Sequence, residues 1–267
     1  FYSAVIVSVI SILSVMITCW VCREWDLGDE SLESDWHLPT ETITTKHPFQ
    51  GLFFANAIMW VARAINASIA LYFYDVYLSL KEADVIFYVL FPYSLCLMLG
   101  IPLWVKLAGH YGKKHTTTGG LISLGLLTAI VYRLLPEGNI IAPFIVAVIG
   151  GIISAVVIIP DSLVADIGKT EEDHTGNISE GAYFGLWKMG SKISRSVGII
   201  ITGIFLWLIG FEDGATYSEF AKESIGYIFG PGVGGLMIVA GLAFHKYFIP
   251  VSRYYKSSSV VSEKSDF

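Results

Sequence analysis

The sequence predicts an all-α polytopic membrane protein with seven transmembrane helices, and three observations carry that expectation. Hydrophobic residues make up 54% of the 267 positions and charged ones only 15%, whereas a soluble domain carries charge at about a quarter. The mean hydropathy is +0.63. The apolar residues also gather into stretches of about 20 residues or more, enough to cross a hydrocarbon core of about 30 Å at about 1.5 Å per residue. Aromatics reach 14%, with seven Trp, which suits the belts at membrane–water interfaces.

The spans are expected near 1–22, 50–78, 84–107, 117–135, 140–165, 181–210 and 225–249. The first runs into a polar loop, 23–49, that holds seven acidic residues against Arg23 and Lys46 and reads as a solvated connector. The second carries an intramembrane charge, Arg63, roughly 21 Å along the helix. At about 100° per residue, Asn56, Trp60, Arg63 and Tyr74 share a narrow sector that Asn66 flanks. A Trp, two amides and a guanidinium combine stacking with hydrogen-bond chemistry, so Asn56, Trp60, Arg63 and Asn66 are candidates to line a solute cavity. A structural ion pair is the competing role for Arg63.

The third span contains Pro92 and Pro102, two possible bends. The fourth follows the basic turn at Lys106, Lys113 and Lys114. The fifth ends in Pro160, Asp161 and Asp166. Pro160 frees a backbone carbonyl, as in the broken helices of transporters. The sixth holds Lys188, Lys192 and Arg195 within about 60° of one another on an otherwise apolar helix. A cation in hydrocarbon costs about 3 kcal/mol or more on insertion scales, so such a stripe faces a bundle interior or wet cavity. Lys192 lies roughly 18 Å beyond Glu180, near mid-bilayer, and Arg195 is deeper; both are cavity candidates. Lys188, nearer the helix end, reads as an anchor. The last span is glycine-rich, with a G-x-x-x-G at Gly226 and Gly230 for close packing and Pro231 for a kink.

Orientation follows from Lys and Arg. Ten lie in segments on one side (23–49, the Lys106–Lys114 turn, Lys169 and the tail from Lys246), and three lie opposite, Lys81, Arg133 and Lys222. The excess places the first side, and the C-terminus, in the cytoplasm. Asp75 and Arg133 then fall at the outer interface. The sequons at Asn66, within a span, and Asn177, on the cytoplasmic side, are not expected to be glycosylated. A plasma or bacterial inner membrane is the expected location.

Cys19 and Cys22 form a C-x-x-C without a second pair or a His cluster, so they and Cys96 read as small apolar residues, not a metal or redox site. The net charge of −6 arises largely in loop 23–49 and implies no nucleic-acid partner. No phosphate loop, H-E-x-x-H or G-x-S-x-G occurs, so neither an enzyme nor a resident cofactor is expected.

The stretch P-D-S-L-V-A-D-I-G-K-T (Pro160 to Thr170), then E-G-A-Y-F-G-L-W-K-M-G-S-K (Glu180 to Lys192), with Gly198, Gly203 and G-F at 210–211, resembles one family. It is similar to the tenth and eleventh helices of the glycoside–pentoside–hexuronide:cation symporters, the melibiose-carrier branch of the major facilitator superfamily. L-A-G-H-Y-G-K-K-H (Leu107 to His115) resembles the superfamily's cytoplasmic loop between helices eight and nine. The resemblance covers nearly the whole chain and maps its spans onto helices six to twelve. It implies that 1–22 is the last helix of an N-terminal bundle, 23–49 the acidic cytoplasmic connector, 50–249 a six-helix C-terminal bundle and 250–267 a disordered cytoplasmic tail. Phe1 lies already inside an apolar run, so a C-terminal part of a longer chain is expected, with the N-terminal half as a partner.

What the resemblance implies for function is symport of a sugar or related solute with Na⁺ or H⁺ by alternating access. Lys192 matches the family's lysine of the eleventh helix, and Gly112, Lys113 and Lys114 match the loop motif that helps close the cytoplasmic side, with Asp161 and Asp166 as further gating candidates. The coupling cation is expected mainly on carboxylates of the N-terminal helices. Gly109–His110 replace the acidic–basic pair of the loop motif, Asn177–Ser179 hold no Arg, and Val157 stands near the branch's Trp. Two other readings share the features above. A lysolipid or drug carrier on the same fold differs only in cavity polarity. A seven-helix receptor fits the span count but has no Schiff-base Lys inside the last span.

Overall fold

The computed structural model describes residues 9, 11–18, 20, 47–175, 180–211 and 218–247. The chain divides into two units, Phe1–Leu38 and Pro39–Phe267. In the first, the described residues are helical, and Thr18 Oγ1 donates back to Ser14 O at 2.9 Å. The rest of the expected first span lies outside the described residues. So do nearly all of the connector, the whole tail, Cys19, Cys22 and Asn177.

Among the described residues of the second unit, six helices are long and apolar enough to cross a membrane: α1 Phe49–Tyr77, α2 Glu82–Tyr111, α3 Lys113–Leu134, α4 Ile141–Lys169, α5 Tyr183–Leu208 and α6 Glu219–Lys246. No strand occurs among the described residues. The protein is an all-α polytopic membrane protein.

The starts of α3 and α6 differ from the hydropathy reading, each for a local reason. Gly112 adopts φ +84°, which only glycine takes cheaply. Its N–H closes α2 on Ala108 O (3.0 Å), and its carbonyl accepts from Thr116 N (3.1 Å). Helix α3 therefore restarts at Lys113, through a polar first turn that carries no apolar signal. At the other end of the chain, Ser218 Oγ accepts from Ala221 N at 3.2 Å. That N-cap starts α6 at Glu219, a turn and a half before the apolar run.

At Pro160 the helix tightens and continues, with Ile159 N–H donating to Val156 O. Proline has no N–H to bond the carbonyl one turn back, and Ala155–Ile158 form a 3-10 turn ahead of it. Pro231 lies inside a π-helical segment, Ile228–Gly232. Three more such segments, Phe73–Tyr77, Ile86–Leu90 and Leu127–Val131, fall in the same half of the bundle.

Successive helices alternate in direction. One end gathers Phe49 against Tyr183 (ring centroids 5.0 Å) and Lys113 against Asp166; the other gathers Tyr77, Arg133 and Glu223. Helix α1 packs against α5 and α6, α6 against α3, and α2 against α4. Two apolar clusters fill the bundle. Phe49, Met59, Leu163 and Trp187 belong to the one nearer Lys113, and Phe73, Tyr132 and Phe229 to the one nearer Arg133. Phe73 stacks on Phe229 at 4.1 Å. Along α1 and α5, the intramembrane charges fall between the two clusters.

Candidate functional site

Helix α5 is divided by its periodicity. Tyr183, Trp187, Gly190, Ser194 and Gly198 are buried and share one face. Gly198 lets α1 approach so closely that a Cβ would lie 2.6 Å from Ala64 Cβ and 2.7 Å from Val61 O. With that face sealed against α1, Lys188, Lys192 and Arg195, roughly 100–160° round the helix, are left exposed beside the seam.

Within the seam, Asn56 Nδ2 donates to Ser191 Oγ at 3.0 Å, and Ser191 Oγ donates to Trp187 O at 2.9 Å. Asn56 is 2% exposed. The structure thus places it in a helix–helix contact, one sector edge away from the cavity the sequence assigned it to. Its Oδ1 is buried without a hydrogen-bond partner among the described residues.

Asp161 follows the tightened turn in α4 and is held from α5 at both oxygens. Trp187 Nε1 donates to Oδ1 and Lys188 Nζ to Oδ2, each at 2.7 Å. Trp187 itself is fully buried, so the indole fixes the carboxylate while the lysine neutralises it.

Trp60 of α1 lies beside this pair. The Arg195 guanidinium sits over its ring at 4.0 Å from the centroid, and Arg63 lies at 5.5 Å from the same ring. Tyr93 on α2 is a polar neighbour of Arg63.

These groups border a cleft of about 340 Å³. One wall is polar: Trp60, Asp161, Lys188, Ser191, Lys192 and Arg195. The rest of the lining is apolar, from Leu97 and Ile101 of α2 with Ala155, Val157 and Ile158 of the α4 turn. Three cations face one carboxylate there, and a Trp offers π surface. Such a cleft can orient a solute through charge-assisted hydrogen bonds while packing an apolar face against the apolar lining.

Of the sequence-predicted residues, the structure brings Trp60, Lys192, Arg195 and Asp161 to the cleft, with Arg63 against Trp60. Asn66 is partly buried on α1 and does not border it. Gly112 makes the turn, and Lys113 pairs with Asp166 at 2.6 Å while also donating to Ser162 O at 3.3 Å. Lys114 is partly buried in the first turn of α3. The apolar wall, Ser191, Tyr93 and the Asp161–Lys188 pairing were not foreseen. Ser191 had a signal, since it lies one turn from Trp187; the pairing across helices had none.

Fold and cleft together define a polytopic helical membrane protein with a charged recess partway along its spans. The sequence profile of the MFS/sugar transport protein family matches residues 1–253, and the chain belongs to that family, a class of transporters. It is also similar to an uncharacterized symporter of Synechocystis sp., 25% identical over 154 residues, which is 57% of this chain and 28% of that protein's length.

Proposed function

We propose that the protein is a secondary active transporter that moves a sugar or related small solute together with Na⁺ or H⁺ by alternating access, through the cleft at Trp60. One observation carries this reading. Trp60, Asp161, Lys188, Lys192 and Arg195, from three helices, converge on one recess between the two apolar clusters. Charges at that depth are costly, pair or face a wet cavity, and commonly mark a solute or ion path.

The roles follow from chemistry. Lys192 and Arg195 donate to solute oxygens. Asp161, saturated by Trp187 and Lys188, holds α4 against α5 beside Pro160 and keeps the wall in register. The solute packs on Leu97, Ile101 and the α4 turn. The recess is open at Lys188, Lys192 and Arg195, and a second bundle of helices facing that side closes it. Alternating access is then a rocking of the two bundles about the solute. Carboxylates of that second bundle are the proposed seat of the coupling cation. The excess of Lys and Arg puts the Lys113–Asp166 end, and the C-terminus, in the cytoplasm.

The apolar wall favours a second reading on the same fold, a carrier of lysolipids or amphipathic drugs. Membership of the MFS/sugar transport protein family displaces the seven-helix receptor. The test is uptake by the full-length protein in proteoliposomes. Labelled sugars should accumulate under an inward Na⁺ or H⁺ gradient and stop when an ionophore collapses it. Accumulation indifferent to both gradients would remove cation coupling.

A further inference from the structure

Helix α4 tightens to a 3-10 turn at Ala155–Ile158, and two neighbouring helices are shaped around that turn. The indole of Trp104 on α2 donates from Nε1 to Ile152 O at 2.7 Å, just ahead of the turn. Gly100, one helical turn earlier on α2, lies so close that a Cβ there would meet Ile152 O at 2.7 Å and Ala155 Cβ at 3.0 Å. On α3, a Cβ at Gly120 would meet Val156 Cγ2, and the Trp104 ring at 2.8 Å. Val156 is fully buried, whereas Ala155, Val157 and Ile158 border the cleft. Trp104 does not line the cleft itself.

The turn sets the phase of everything that follows it in α4. A 3-10 helix advances about 120° per residue and an α-helix about 100°. Four residues therefore carry the rest of α4 about 80° further round, and about 2 Å further along, than a regular α-helix would. In that phase Asp161 meets Trp187 Nε1 and Lys188 Nζ, each at 2.7 Å. Relaxation of the turn to α-helix would swing Ile158 and Asp161 together away from the cleft. Pro160 accounts for part of the tightening, since it denies a donor to Val156 O and Ile159 N–H takes that place. It does not reach Ile152. A 3-10 turn makes poorer backbone hydrogen bonds than an α-helix, so an indole donor at its upstream carbonyl offsets part of that cost.

We infer that Trp104 is a positioning residue that fixes the helical phase of α4. Its N–H on Ile152 O holds the 3-10 turn, and the turn aims Ile158 and Asp161 at the cleft. The consequence for a solute rests on the transporter reading above; the phase itself does not.

The test uses the full-length protein in membranes, in a cysteine-free background, with a single cysteine at Ile158 or, for reference on α2, at Leu97. Each is labelled with a membrane-impermeant maleimide in the parent and with Trp104→Phe, which keeps a ring and removes the donor. Ile158→Cys should react severalfold more slowly beside Trp104→Phe, and Leu97→Cys at its parental rate. In sugar uptake, Trp104→Phe should raise KM about two- to tenfold, the span of one net hydrogen bond, with Vmax and abundance near parental. Gly100→Ala, which presses on the same carbonyl, should slow Ile158→Cys in the same direction, and it decides the matter if Trp104→Phe fails to insert.

Parental labelling of Ile158→Cys in both variants overturns the inference, because the turn then keeps its phase unaided. Equal slowing at Ile158 and Leu97 overturns it too, since Trp104 then only packs α2 on α4. A parental KM beside slowed labelling overturns the positioning role. Slowed labelling at Ile158 alone, in a protein whose parent takes up no sugar, supports the phase and removes the transporter reading.

Discussion

Asp161 and Lys188 form an ion pair at 2.7 Å that ties α4 to α5 directly after Pro160. The carboxylate side chain is 37% exposed and the lysine 54%, so solvent screens the pair in the isolated bundle. Its worth to stability is then about 1 kcal/mol or less. The larger consequence is positional, because the second oxygen of the same carboxylate is held by buried Trp187. Asp161→Ala should lower uptake strongly while shifting thermal unfolding little. In a double-mutant cycle, Lys188→Ala should do less harm in the Asp161→Ala background than in the parent. Strictly additive effects on uptake would show that the two residues act separately.

The seam between α1 and α5 makes a sharper stability prediction. Gly198→Ala places a methyl group 2.6 Å from Ala64 Cβ and 2.7 Å from a backbone oxygen. Neither can move without separating the helices, and overpacking of this kind costs about 1–3 kcal/mol. Gly203 has nothing within 4 Å of a would-be Cβ. Gly203→Ala should be neutral or stabilising by up to about 1 kcal/mol through helix propensity. Thermal unfolding in detergent separates the two, and equal shifts would contradict the packing described.

Much of this site could be read from the sequence because membrane helices make charge conspicuous. Lys188, Lys192 and Arg195 stand out from an apolar run, and 100° per residue is enough to put them on one stripe. The same rule grouped Asn56 with Trp60 and Arg63, yet Asn56 turns into the seam and bonds to Ser191. Periodicity fixes which residues share a sector; it does not fix how that sector is rotated toward its neighbours. For the same reason the pairing of Asp161 with Lys188, residues 27 apart on different helices, had no signal. The start of α3 at Lys113 escaped notice because hydropathy reports burial in lipid and not helicity. The π segment Phe73–Tyr77 depends on how its rings pack with Phe229 and Tyr132, which is tertiary information.

At the opposite end, Arg133 gathers three partners. It donates to the Tyr77 hydroxyl and to Glu223, and lies over the Tyr227 ring at 4.5 Å. It thereby joins the ends of α1 and α3 to the start of α6. A lysine can replace the charge but not the planar fork that serves several partners at once. Arg133→Lys should therefore destabilise by about 1 kcal/mol and Arg133→Ala by somewhat more. A lysine variant with the parent's unfolding temperature would show that charge alone matters.

Lys113 and Asp166 form a pair, 36% and 54% exposed, between the start of α3 and the end of α4. Lys113→Ala should cost less than about 1 kcal/mol of stability. If the pair contributes to closing that end during transport, uptake should fall in either single variant and recover in the exchange Lys113→Asp/Asp166→Lys. Recovery is read against protein amount in the membrane. Full uptake in both single variants would leave the pair without a part in gating.

On the proposed function, the solute passes through the cleft at Lys192. The most direct measurement is gradient-driven uptake by the full-length Lys192→Ala variant, alongside its abundance and folding in the same membranes. Uptake should fall at least about tenfold while the protein inserts and unfolds like its parent. Uptake at the parental rate, with the same abundance, would contradict the assignment of the cleft.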